Sequence, residues 1–364
     1  MKYCILFWVI FLLFLVGCDK EAGLSDFTVN RTVIVYMAAD NDLSGDALVD
    51  LEEMQRGYTA TGANLIVLVD VAGEAPYLLQ IDETGRQTVK TYLEFNSADA
   101  LKMKSVLGEI INMYPAGNYG LVLWSHGTSW LPAGVQLKSF AEDGGRQMDI
   151  IDLAAALPLR FDFILFDACL MGAVEVAYEL KDKTDFLIAS STETIYKGFP
   201  YDLIISELLA PEVNLIQVAQ KYFDYYDEQQ GAYRSATISV TDTRRLDALA
   251  EATALVIGDT PFNMANFDRT AVQRLDVYNE QYVFDFLDFT TKAFPQTNLI
   301  ALREQINKTV IYKAHTPRFI EEYDISTYCG LSCYIPHPQR NDLNTYYQQL
   351  KWCRAAGFSQ LFKP

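Results

Sequence analysis

Three features of the sequence predict an α/β fold in which a mostly parallel sheet is flanked by helices, with a C-terminal α/β unit packed on it. Short apolar runs recur at 31–40, 64–70, 121–124 and 163–166, each bounded by polar or Gly residues, and such runs read as strands of a sheet covered on both faces. Stretches with apolar residues at helical spacing lie between them, so strand alternates with helix and parallel pairing through right-handed crossovers follows. Hydrophobic residues make up 50% of the chain and the formal charge is −18, which suits a well-cored acidic protein and disfavours a nucleic-acid partner, since phosphate binding needs clustered Lys and Arg.

The first 18 residues, MKYCILFWVIFLLFLVGC, join one positive charge at Lys2 to an apolar run and a small-residue cleavage site. That is the layout of a secretory signal rather than a structural span, with an uncleaved anchor helix as the alternative although spans usually need about 20 apolar residues. With Cys18 directly after Gly17 it resembles a bacterial lipoprotein signal, which implies lipid on the Cys18 thiol and an exported, membrane-anchored protein at the periplasmic face or cell surface. Residues 19–30 then form a tether. A remaining length of about 345 residues predicts two units, at 31–205 and 206–364.

Within the first unit, the strand at 31–40 ends in Asp-Asn-Asp-Leu-Ser and feeds a helix at 46–54 with an acidic first turn. A strand at 64–70, a hairpin over 77–81 and 87–93 and an amphipathic helix at 100–112 follow. The strand at 121–124 leads to Ser125, His126 and Gly127. A loop at 129–146, long enough to be functional or mobile, and a helix at 148–157 separate it from the strand at 163–166, which ends at Asp167, Ala168 and Cys169. A helix at 171–180 is expected to place the Cys169 thiol near a helix amino terminus, where the dipole favours thiolate. The strand at 185–190 opens a loop running to 202. In the second unit, helices are expected at 203–209, 214–228, 243–256 and 297–308, strands at 235–241 and 330–335, and a terminal helix at 346–353.

Ligands to such a sheet bind outside the carboxyl ends of its strands, and there the chain delivers one imidazole and one thiol. A Cys-His pair is the minimum for nucleophilic acyl transfer, in which the base makes the thiolate that attacks a carbonyl. His126 precedes Cys169 by 43 residues, near the caspase spacing of about 50 and opposite in order to papain-like enzymes. The chain has three His, and His315 and His337 both precede Pro-containing loop sequence. Each reactive residue has a bland reading as well, as a buried small hydrophobe or a structural imidazole.

Ser125-His126-Gly127 and Asp167-Ala168-Cys169-Leu170-Met171, with further similarity at 185–190, 236–242 and 330–336, resemble the clostripain-like cysteine peptidases, a family of the caspase-like fold clan. The resemblance implies a caspase-like sheet and an endopeptidase acting on protein or peptide substrates. In that reading Cys169 is the nucleophile and His126 the base and acid, with the backbone N–H groups of Gly127 and Cys169 as oxyanion donors. Asp167 lines the primary pocket and predicts cleavage after Arg or Lys, with Glu193 adding a second negative charge. Asp167 as a cap of the following helix is the competing reading, and Lys197 is a positive charge the family pattern does not lead one to expect. Processing between the two reactive strands is expected after Lys138 or Arg146. A catalytically silent binding lipoprotein of the same fold is the alternative function.

Of six Cys, four lie outside the signal and lipid positions. Cys329 and Cys333 on one strand would point the same way about 13 Å apart, too far to pair. No metal site is expected, and no Asp/Asn run has the spacing of a calcium loop, so no cofactor is expected, although the resemblance implies that calcium dependence is open, since some family members need it.

Overall fold

The computed structural model describes residues 29–132, 140–258 and 262–362. Cys18, the signal, residues 19–28 of the tether and Lys138 therefore lie outside the described residues.

Nine strands form one sheet. In chain order they are β1 (Arg31–Ala39), β2 (Asn64–Val71), β3 (Tyr77–Asp82), β4 (Gly85–Thr91), β5 (Asn118–Trp124), β8 (Phe161–Asp167), β9 (Thr184–Ala189), β10 (Thr237–Asp242) and β12 (Val310–His315). The remaining numbers belong to a hairpin, β6 (Phe140–Asp143) and β7 (Arg146–Met148), and to the short β11 (Phe284–Asp285). Across the sheet the order is β12-β10-β9-β8-β5-β1-β2-β3-β4. The five inner strands from β9 to β2 run parallel, and the two outer strands at each side are antiparallel.

Every residue of β1 is buried, as expected for a central strand covered on both faces. Its side chains alternate between two cores. Ile34, Tyr36 and Ala38 pack with α2 (Ala100–Met113), α3 (Ile150–Ala156), α4 (Val174–Leu180) and the C-terminal segments. Val33, Val35, Met37 and Ala39 pack with α1 (Ser44–Gly57), α5 (Tyr201–Leu208) and α6 (Leu215–Asp227). The position expected to divide two units, between 205 and 206, falls inside α5, and two strands from beyond it complete the same sheet.

Two expectations are corrected. The helix after Cys169 begins at Val174 rather than Met171, because residues 168–173 are spent on a turn. The run at 330–335 contributes only Ser332–Cys333 as strand, paired with β11, since Gly330 at φ 93 opens it and Pro336 follows. The C-terminal segment is nonetheless fastened to the turn after β8: Ser332 N–H donates to Gly172 O at 3.0 Å, and buried Glu175 accepts from Tyr334 N–H at 2.9 Å and Tyr347 Oη at 2.7 Å.

Candidate active site

The register of the sheet builds the site. Trp124 stands opposite Met37 on one side and Asp167 on the other, so β1, β5 and β8 end together and release their loops at one edge. A cleft of about 230 Å³ opens there, lined among others by Trp124, His126, Asp167, Cys169, Tyr196 and Gly198. The structure thus brings together three residues singled out in the sequence, His126, Cys169 and Asp167, and lays Gly127 against the Cys169 backbone.

Cys169 follows β8 on a sharp turn. Leu170, a fully buried non-Gly residue, is held at φ 64, and its N–H donates to Thr192 O at 2.8 Å. Left-handed backbone at a branched-chain residue is costly and is retained where the surroundings over-determine it, often at active sites. The thiol does not sit at a helix amino terminus as expected, being five residues before α4. Sγ instead takes the Thr194 N–H at 3.3 Å, and burial, the main cause, pushes the thiol up to about 12.

Gly127 has no room for a side chain. A Cβ there would stand 2.6 Å from Cys169 O and 3.2 Å from Cys169 N, so only Gly lets this backbone lie against the nucleophile turn.

His126 Nε2 lies 2.7 Å from Asp42 Oδ1. Asp42, which the sequence analysis did not single out among the Asp-Asn-Asp-Leu-Ser residues, is thus the carboxylate beside the imidazole. Its loop is fastened from several sides: Ser44 Oγ donates to Ala39 O at 2.6 Å, Asn41 Oδ1 accepts from Leu43 N–H at 2.9 Å, and Asn41 Nδ2 donates to Glu142 O at 2.7 Å. The discoverable signal was positional, since β1 must neighbour the His strand for its terminal Asp-Asn-Asp to reach the imidazole.

Asp167 is 5% exposed and floors the cleft. Its Oδ2 accepts from Phe199 N–H at 3.1 Å and Tyr201 Oη at 3.0 Å, while α4 has no side-chain cap, which rules out the capping role. A Cβ on Gly198 would stand 2.6 Å from Asp167 Oδ2, so glycine there keeps the carboxylate approachable. Burial raises Asp167 to about 6 and Asp50, which accepts the Trp124 indole N–H at 2.7 Å, to about 9.

Glu193 does not join Asp167. Its Oε1 accepts from Val277 N–H at 3.1 Å, and it walls a neighbouring pocket rather than the cleft. Lys197 turns away to donate to Tyr225 Oη at 2.7 Å and pairs with neither acid. Arg146 is exposed at the start of β7, and the two other His lie elsewhere, His315 at the end of edge strand β12 and His337 in the C-terminal segment. The four described Cys are free thiols. Among the described residues no group of three or more His, Cys, Asp or Glu is placed to hold a metal ion, and no helix is long and apolar enough to cross a membrane.

Comparison with known proteins matches residues 35–352 to the clostripain family. Clostripain of Hathewaya histolytica is 29% identical over 227 residues, a match spanning 49% of this chain and 42% of clostripain, so the chain aligns with less than half of that relative's length. An inactive zymogen C11 protease from Parabacteroides distasonis superposes with a TM-score of 0.81 at 32% identity, covering 90% of this chain and 98% of that one. A secreted C11 cysteine protease from Bacteroides thetaiotaomicron, in complex with an irreversible peptide inhibitor, gives 0.80 at 31% identity over 91% and 99%.

Proposed function

The chain belongs to the clostripain family, and from that premise we propose that it is a cysteine endopeptidase that works through a Cys169–His126 dyad and cuts after Arg or Lys. The observation that carries this reading is the meeting of a strained thiol turn, a carboxylate-held imidazole and a buried carboxylate in one cleft.

His126 takes the thiol proton as Sγ attacks the scissile carbonyl carbon, and the backbone N–H groups of Gly127 and Cys169 stabilise the oxyanion that forms. With Nε2 turned to Asp42, Nδ1 is the nitrogen that serves the thiol, and the carboxylate fixes that tautomer. The proton then passes from His126 to the leaving amine as the C–N bond breaks, leaving a thioester. Water, losing its proton to His126, attacks the thioester and expels the thiolate, which recovers that proton. Asp167 selects the residue on the acyl side, because a partly desolvated carboxylate rewards a guanidinium or ammonium partner.

A covalent thiol-directed peptide probe ending in Lys tests the function. Labelling of the parent chain and none of Cys169→Ala is the expected outcome. A folded parent chain that takes no label would leave a silent binding protein of the same fold.

The secreted relative and the signal-like first 18 residues also support export, and we propose lipid attachment at Cys18 as the membrane tether. Partition of the parent into a detergent phase, lost in Cys18→Ala, is expected; equal partition of both chains would overturn it.

A further inference from the structure

We propose that the apolar pocket beside the thiol cleft is a substrate subsite taking an apolar side chain, Leu or one of similar size, from a position one to three residues before the basic residue. The proposal rests on the peptidase reading above and deepens it.

The pocket has a volume of about 400 Å³ and is walled by Glu193, Ile195, Tyr196, Tyr233, Phe319 and Ile320. It is continuous with the cleft: Thr194, Ile195 and Tyr196 line both. A peptide lying along that segment with its basic side chain over Asp167 therefore carries its upstream residues past the second opening, and the occupant is the substrate itself.

Two features mark the pocket as more than a surface dent. Tyr196 and Tyr233 stand at its rim 56% and 53% exposed, their ring centroids 6.3 Å apart. Large aromatic rings left in water beside a cleft are what an incoming apolar group would cover. The far wall is also strained, with Ile320 at φ 39 and Glu321 at φ 62. A β-branched residue seldom adopts that conformation, and here the Ile320 N–H is pinned by Ser235 Oγ at 2.7 Å.

Glu193 sets the sign of the selection. Its Oε2 is buried without a hydrogen-bond partner and burial pushes the carboxyl up to about 7, so above that pH negative charge at this wall opposes an acidic side chain entering the pocket. The chain's own candidate processing sequence, Val135-Gln136-Leu137-Lys138, has the matching pattern, with apolar residues one and three positions before Lys138 and no acid between.

The test uses a peptide of that sequence and analogues with Gly or Asp at the Val and Leu positions. Kd is measured by calorimetry on the full chain carrying Cys169→Ala, and cleavage of the same peptides by the parent chain is followed in parallel. Replacing one of the two apolar residues by Gly is expected to weaken binding by about tenfold or more, with Asp weaker still. Ala232→Trp, at an exposed position where folding is not at stake, fills the pocket and is expected to erase the difference between the Leu and Gly peptides. Equal Kd for apolar and Gly peptides, or a difference that survives Ala232→Trp, overturns the subsite. Should equal affinities accompany normal cleavage after Lys, the subsite alone fails. Absence of both binding and cleavage removes the peptidase reading along with it.

Discussion

His126→Ala is expected to lower kcat/KM on an Arg substrate by roughly 10²–10⁴-fold, the usual worth of a positioned proton-transfer group. The thiol's surroundings make the base indispensable. Burial pushes the Cys169 thiol up to about 12, so at neutral pH it needs a base to take its proton. No helix dipole compensates, because α4 starts only at Val174. Asp42→Ala should cost less, about 10–100-fold, mainly in kcat, since it orients the imidazole without touching substrate and its side chain is 74% exposed to screening solvent. Asp42→Asn, which retains an acceptor oxygen, should recover part of the loss. Steady-state kinetics with thermal melting as a folding control decide the matter, and a His126→Ala chain within tenfold of the parent would sink the dyad.

Asp167→Asn is expected to cost about 1.5–3 kcal/mol in kcat/KM for Arg substrates, the scale of a charge-assisted hydrogen bond, while sparing matched Leu substrates. The carboxylate is nearly out of solvent and already takes two hydrogen bonds, so an entering guanidinium would meet it at low local dielectric. A pH dependence follows. Burial raises Asp167 to about 6, and a carboxyl is neutral below its pKa, so the Arg-over-Leu preference of the free enzyme should fall as pH drops through about 6. Equal losses on both substrates would make Asp167 a structural residue, and a parent preference for Leu would remove the basic-substrate reading.

The inner sheet was legible because β1, β2, β5 and β8 are continuous apolar runs with clear polar ends, a pattern set by burial on both faces. β12 was not, because Val310 follows helix α9 (Ile300–Thr309) with no turn residue between them, and its edge position leaves its side chains half polar. The β6–β7 hairpin sat inside what read as one long loop, although its Gly144-Gly145 turn is a hairpin signal. In the site, His126, Cys169 and Asp167 stood out by residue type at strand ends. Asp42 did not, since an Asp after a strand is usually a turn or cap and only sheet order brings it to His126. Glu193 was misplaced for the opposite reason: its sign suited the pocket, but the direction of its side chain is set by the Val277 backbone, 84 positions away.

The backing of the nucleophile turn by Ser332 also has a consequence in time. Gly172 and Ser332 are 160 positions apart, and at roughly 5–20 residues per second a ribosome needs on the order of ten to thirty seconds to cover that distance. The thiol is thus translated well before the strand segment that braces its turn exists, so a nascent chain carries the reactive residue for that interval without its finished mount.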